Sequence, residues 1–285
     1  MNRRYMEEKL CKAVMLGSLA IVIVSLLMVI GITFVRGGTV LLEKPDIVIT
    51  PPGPRYLLGG EGGFLHAMLG SIYMVIPATM AAAIMAVGIA LYLQSDYSSD
   101  RVAEGVRTVL DALWGTPSIV YGIFVFTILV YLQQRASLFA GIIALTLLEL
   151  PIITRYADEA VQMVPRQLKE STYSMGTTRW ETAKVVTRYA LPGVTVGILI
   201  GLGRGIGDAA SIIFTSGAGS TMPSGLFSTA TALPVMIFQQ ASSCYPSVRE
   251  QAYAAACILI LVVLVLNVTS RLIASYLSRY IPGGR

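Results

Sequence analysis

Residues 13–35 have the sequence AVMLGSLAIVIVSLLMVIGITFV, an apolar run of 23 residues without a charge. Crossing the hydrocarbon core of a bilayer takes roughly 20 apolar residues in a helix. Lys12 precedes the run and Arg36 follows it. The run is longer than the apolar region of a secretory signal peptide, and no small-residue cleavage site closes it. It therefore predicts a first transmembrane helix that the protein retains.

The same apolar character extends through the rest of the chain. Hydrophobic residues make up 55% of the 285 residues and charged residues 13%, with a mean hydropathy of +0.70. A soluble domain of this length carries more charge than that on its surface. The sequence predicts an all-α, polytopic membrane protein with six transmembrane helices, the other five at about residues 65–93, 116–133, 138–155, 191–215 and 252–277.

The basic residues predict how these helices are oriented. With the N-terminus placed in the cytoplasm, fifteen Lys and Arg fall on the cytoplasmic side and five on the outer side, and Arg204 lies within a helix. Cytoplasmic loops of membrane proteins are enriched in Lys and Arg. We therefore expect a multi-pass protein of the inner membrane with both termini in the cytoplasm. The net charge of +5 is spread over short loops, which disfavours a nucleic-acid partner.

The two longest outer segments and the few metal-binding residue types add further expectations. Residues 37–64 are rich in Pro and Gly and are not expected to form an ordered helix, and residues 216–250 form a second outer excursion. His66, the single histidine, is expected at the outer interface. Cys11, Cys244 and Cys257 fall in different compartments, so neither a disulfide framework nor a metal site is expected.

A polar insert at residues 156–190 lies between two apolar segments on the cytoplasmic side. Pro165 suits the start of a short helix, and Gly176 suits the left-handed position just after its end. Thr178 and Glu181 have the spacing of a capping box that starts a second helix. The insert thus predicts a helix, a sharp turn and a helix facing the cytoplasm. An ordinary amphipathic loop on the membrane surface is the alternative.

Charged residues within the apolar segments are the candidates for an ion path. Arg204 and Asp208 are four residues apart, so they would share one face of a helix. A charge at the bilayer centre costs about 2.5–3.5 kcal/mol on insertion scales and usually has a function. Arginine offers planar donors to oxyanions. The alternative is a permanent salt bridge between the two residues. Glu149 could pair with Arg204 or with Arg155, and its role is open.

The insert resembles the EAA loop of the permeases of binding-protein-dependent ABC importers. Glu170, Ser171 and Thr172 stand at the start of that motif and Gly176 follows six residues after the glutamate, although the family has two alanines at 171 and 172. Further runs resemble the phosphate-specific permeases of the PstA type, with Asp208 where that family has Glu. These runs are residues 114–122, 150–155, 190–193, 203–209 and 232–238.

The resemblance implies a phosphate permease with the MetI-like fold of ABC importer permeases. It implies a single permease domain at 1–285, with a permease core at 65–277. The implied partners are a second permease, a dimeric cytoplasmic ATPase, an extracytoplasmic phosphate-binding protein and membrane lipid. The chain has no Walker-type run for ATP and no implied cofactor of its own, so ATP would be used by the partner and the chain would not itself be an enzyme. The implied substrate-path residues are Arg204 and Asp208. Glu149 lies outside the family pattern and is a candidate path residue only as the other charge within an apolar segment. The implied ATPase-coupling residues are Glu170, Ser171, Thr172, Gly176, Thr178 and Glu181.

Three other functions are weaker. A permease for another oxyanion, such as sulfate or molybdate, would use Arg204 equally well. A membrane enzyme would need a nucleophile with a base, or a set of metal ligands, and one histidine with scattered acids does not supply them. A structural scaffold would leave Arg204 and Asp208 unexplained.

Overall fold

The computed structural model describes residues 2–278, and the regular elements in that range are helices. Two short 3-10 helices, Pro45–Val48 and Tyr56–Leu58, lie between the first two α-helices. The α-helices are α1 (Asn2–Glu43), α2 (Leu65–Tyr92), α3 (Asp100–Trp114), α4 (Ser118–Tyr131), α5 (Leu138–Gln162), α6 (Arg166–Ser174), α7 (Arg179–Gly207), α8 (Leu233–Ala241) and α9 (Pro246–Ser278).

Five of these helices, α1, α2, α5, α7 and α9, are each long and apolar enough to cross a membrane. This confirms the predicted all-α, multi-pass architecture. A sixth crossing requires α3 and α4 together, which are bent by 97°. α4 has 14 residues, about 21 Å of helix, so the simple third span predicted at 116–133 is wrong. Pro117 explains the bend, because the residue before a proline is disfavoured in a helix.

Helix α5 occupies the centre of the bundle. Its apolar window is 67% buried, against 0% for that of α1. α5 packs against α2, α3, α4 and α7, whereas α1 packs mainly against α9. Small residues allow neighbouring helices to approach α5 closely. Lipid tails are as apolar as the side chains, so van der Waals packing decides which helices associate. α7 presents glycines to α5 at every fourth residue, namely Gly193, Gly197, Gly201 and Gly205.

The two segments predicted to lie on the outer side are more ordered than their composition predicted. α1 continues to Glu43, and the following loop is tied to α2 where Phe64 N donates to Ile47 O at 3.0 Å. His66 is 1% exposed, with its ring edge-on to that of Tyr56 at 5.5 Å. The expectation of no ordered helix at 37–64 is therefore wrong, because buried side chains anchor the loop to the bundle.

The second of these segments, residues 216–250, also packs back into the protein. Leu233, at the start of α8, is buried, and its N–H donates to Ser71 Oγ of α2 at 2.8 Å. Residues 216–250 are therefore not simply an outer excursion. Of the basic residues counted for orientation, Arg279 and Arg285 lie outside the described residues.

Candidate functional site

Helix α7 ends in the middle of an apolar segment. The hydropathy predicted a helix to residue 215, but α7 ends at Gly207 and Asp208 has extended backbone angles of φ −86° and ψ 122°. Residues 210–216 follow as consecutive turns, which begin with Ile213 N donating to Ala209 O at 3.0 Å. The predicted continuous span at 191–215 is therefore wrong, and the break follows Arg204 by four residues.

The depth of this break follows from the helix that packs beside it. A Cβ added to Gly205 would collide with the carboxylate of Glu149. Glu149 lies eleven residues after the start of α5 at Leu138, about 16 Å along a helix that crosses a core of roughly 30 Å. The break therefore lies near mid-membrane. Non-helical backbone at that depth is tolerated where it is buried in protein or lines a cavity, and helix ends there commonly bind substrate.

Arg204 presents an unpaired guanidinium beside the break. It is exposed in this chain, and it makes neither an ion pair nor a hydrogen bond with any side chain that the structure describes. Asp208 instead accepts hydrogen bonds from Ser211, 2.8 Å from the backbone N and 2.5 Å from Oγ. The two residues do not share a helix face, because Asp208 lies beyond the last turn, and the alternative of a permanent salt bridge is not observed. No pattern in the sequence pointed to Ser211.

Glu149 is the other predicted path residue, and it lies between α5 and α7, away from the exposed Arg204 side chain. It is 0% exposed. Its carboxylate makes no well-formed hydrogen bond among the described residues, and the polar group that acts on it is the Thr79 hydroxyl. Arg155 is not its partner, because that guanidinium pairs with Asp111 at 3.3 Å and Glu159 at 3.4 Å. Glu149 thus contacts α7 at Gly205 from the α5 side, while Arg204 points elsewhere.

The polar insert forms the predicted helix, turn and helix. Pro165 is the N-cap of α6, and Gly176 has a φ of +80° in the turn. Glu181 N donates to Thr178 Oγ1 at 3.4 Å, and Thr178 N donates to Glu181 Oε2 at 2.8 Å. This reciprocal pair is the predicted capping box.

Most of the predicted coupling residues are accessible to a partner. Glu170, Ser171, Gly176, Thr178 and Glu181 are exposed. Thr172 is inaccessible to a partner. Its side chain is buried, with the residue 3% exposed, and its hydroxyl donates to Leu168 O within α6 at 2.6 Å.

The insert also exposes large apolar side chains that the sequence analysis did not single out. Met163, Met175 and Trp180 are 77%, 76% and 66% exposed. The sequence signal that could have identified them is the presence of large apolar residues in an otherwise polar insert. Large apolar side chains exposed on a polar segment are candidates for contact with a partner.

Comparison with known proteins identifies the class. Residues 78–281 match the family described as "Binding-protein-dependent transport system inner membrane component". The match covers more than half of the chain, so the chain belongs to this family. It is a multi-pass membrane subunit of an ABC transport system, and the family implies partnership with an ATPase and a second permease.

Individual relatives are more specific. The chain is similar to the "Phosphate transport system permease protein PstA" of Yersinia pestis, with 33% identity over 74% of this chain and 72% of the relative. The protein of the same name from Haemophilus influenzae is 30% identical over 95% of this chain and 96% of the relative. A "Probable ABC transporter permease protein YqgI" of Bacillus subtilis is 27% identical over 75% of this chain and 78% of the relative.

A solved structure supports the fold alone. A chain of the MetNI methionine ABC transporter in inward-facing conformations superposes with a TM-score of 0.58 at 18% identity, covering 75% of this chain and 95% of that chain. The MetI-like permease fold implied by the resemblance is thereby confirmed.

Proposed function

We propose that this chain is a permease subunit of an ATP-driven importer of inorganic phosphate. The observation that carries the proposal is the unpaired guanidinium of Arg204 at the mid-membrane break of α7. The similarity to the PstA proteins of Yersinia pestis and Haemophilus influenzae supports phosphate as the substrate.

The chemistry of the break suits an oxyanion. A guanidinium offers several planar donors to phosphate oxygens and keeps its charge at any physiological pH. An arginine alone in a low-dielectric site would bind an anion strongly and release it slowly. The Asp208 carboxylate, fixed by its bonds to Ser211, opposes that field four residues away. Phosphate would exchange part of its hydration shell for Arg204 donors and then leave toward the cytoplasm.

The helix–turn–helix insert supplies the contact with the motor. The exposed face of α6 and the following turn would dock into the cytoplasmic ATPase dimer, with Glu170 and Ser171 in the contact and Met175 and Trp180 adding apolar area. Gly176, Thr178 and Glu181 would fix the angle between α6 and α7. Thr172 would stabilise α6 through its buried side chain. A second permease would complete the path, a phosphate-binding protein would deliver substrate outside, and both termini would lie in the cytoplasm.

Uptake of radiolabelled phosphate by the reconstituted transporter tests this proposal. We expect Arg204→Gln to abolish uptake while the subunits still assemble and hydrolyse ATP, because the donors to the anion are lost. Arg135→Gln is the matched control, since Arg135 is an exposed arginine in the turn before α5 and its loss should leave uptake unchanged. Undiminished uptake by Arg204→Gln would remove this residue from the path.

Competition decides the substrate. Excess unlabelled phosphate should suppress uptake, and equal concentrations of sulfate or molybdate should not. Uptake of radiolabelled sulfate or molybdate without uptake of radiolabelled phosphate would show that the chain serves the other oxyanion.

A further inference from the structure

A second charged network lies near the polar insert, and its members are none of the predicted site residues. Its centre is Asp158 of α5, whose side chain is 1% exposed. Arg107 of α3 donates to both carboxylate oxygens, from Nε to Oδ2 at 2.7 Å and from Nη2 to Oδ1 at 3.1 Å. Gln162 Nε2 donates to Oδ2 at 2.7 Å and Gln94 Nε2 to Oδ1 at 3.5 Å. The buried charge is therefore fully partnered.

The network reaches α6, the short helix of the insert. Lys169 Nζ of α6 donates to Gln94 Oε1 at 3.3 Å, and Gln94 follows the end of α2. Arg107 Nη2 also donates to Leu93 O at 3.3 Å. One carboxylate thus connects α3, α5 and the end of α2, and through Gln94 it connects them to α6.

Helix α3 depends on this network for its position. Ala103 and Leu110 are the buried residues in its 15-residue length, so apolar packing alone holds it weakly. A bidentate arginine–carboxylate pair fixes both distance and orientation. Arg155–Asp111 is a second ion pair between α3 and α5, but Asp111 is 53% exposed. A pair so exposed to water contributes little.

Helix α3 is linked to the break in α7 through α4, which follows α3 in the chain and packs against the break. α3 bends by 97° into α4, and the Tyr121 hydroxyl of α4 donates to Leu113 O across the bend at 2.8 Å. The next residue, Gly122, packs against the backbone of Ser211 so closely that a Cβ there would lie 2.6 Å from Ser211 O. Ser211 is the residue that holds Asp208. A rotation of α3 would therefore move the wall against which the break is packed.

We propose that Asp158 is a positioning residue that couples α6 to the bent α3–α4 pair, so that movement imposed on α6 reaches the α7 break beside Arg204. This inference rests on the proposed function, because it assigns the direction in which ATP-driven motion travels. Two arrangements of α3 relative to α5, with the short Gly115–Pro117 connection absorbing the change, would make the bent pair a hinge.

The test uses the complete transporter in proteoliposomes, with ATP hydrolysis and phosphate uptake measured on the same preparation. Asp158→Asn keeps the size of the side chain and removes its charge, and Arg107→Gln removes the other partner. We expect phosphate transported per ATP hydrolysed to fall about tenfold in both, a coupling loss typical of one network residue. Arg107→Lys keeps the charge and should retain more coupling. Arg155→Gln, which breaks the exposed ion pair, is the matched control and should leave the ratio unchanged.

A second measurement does not depend on the substrate. Spin labels are placed at exposed Ile123 of α4 and Phe139 of α5, after Cys11, Cys244 and Cys257 are replaced by Ser. ATP should change the distance between the labels in the otherwise unchanged protein and leave it constant with Asp158→Asn.

The outcomes separate the inference from the proposed function. If the unchanged transporter carries no phosphate, the proposed function fails, and the label distances still decide the inference. An unchanged ratio of phosphate to ATP in Asp158→Asn would overturn the inference. So would an equal fall of both activities, or failure to assemble, because either would show that Asp158 only maintains the fold.

Discussion

Replacing Gly176 by residues with a Cβ should weaken the link between ATP hydrolysis and transport. Gly176 has a φ of +80° and nothing lies within 4 Å of an added Cβ, so the cost comes from the backbone and not from a clash. A left-handed conformation costs an ordinary L-residue about 1–2 kcal/mol, and a β-branched residue more. That free energy corresponds to a factor of about 5–30 in the population of the observed turn.

The turn matters because it sets the position of α6 relative to α7. Gly176 N donates to Tyr173 O at 2.9 Å, and Thr177 Oγ1 donates to Thr172 O at 2.8 Å. A strained turn would release these bonds and let α6 leave its docking angle. Phosphate transported per ATP should therefore decrease in the order Gly176, Gly176→Asn, Gly176→Ala and Gly176→Val, since asparagine tolerates left-handed backbone best of the three.

The assay is uptake and hydrolysis by the reconstituted transporter, as for Arg204. Gly38→Val is the matched control, because Gly38 lies in α1, has open space around its Cβ and lacks a positive φ. Gly38→Val should preserve the ratio. A series at position 176 with equal ratios, or one in which asparagine is the worst, would refute the argument from backbone strain.

Two further predictions concern packing and orientation. Gly205→Ala should destabilise the detergent-solubilised protein by about 1–3 kcal/mol through overpacking against Glu149, which a lower melting temperature would show. Gly203→Ala is the control and should not lower it, because its Cβ meets open space. Equal melting temperatures of the two variants would contradict the observed α5–α7 contact. A membrane-impermeant maleimide should label Cys244 but not Cys11 in intact cells. Both thiols are exposed, and we place Cys244 outside the cell and Cys11 in the cytoplasm. Labelling of Cys11 alone would show that the topology is the reverse of the one we predict.

The extent to which the sequence predicted the molecule differs between its parts. The capping box at Thr178 and Glu181 and the left-handed Gly176 were predictable, because caps and turns depend on a few neighbouring residues. The break after Gly207 was not, because the residues on both sides of it are apolar and hydropathy does not distinguish a helix from turns buried in protein. Asp158 was not singled out either, since its partners Arg107 and Gln94 lie more than fifty residues earlier in the chain.

The sequence by itself determined that the chain crosses a membrane as helices, because apolar runs in lipid must satisfy their own backbone hydrogen bonds. It also determined which segments are polar and where the insert turns. Only the tertiary structure decided that Arg204 lies unpaired beside a mid-membrane break, that Glu149 is buried against Gly205, and that a carboxylate joins α3 to α5. Those features depend on which helices approach each other, and that is set by packing between residues distant in the chain.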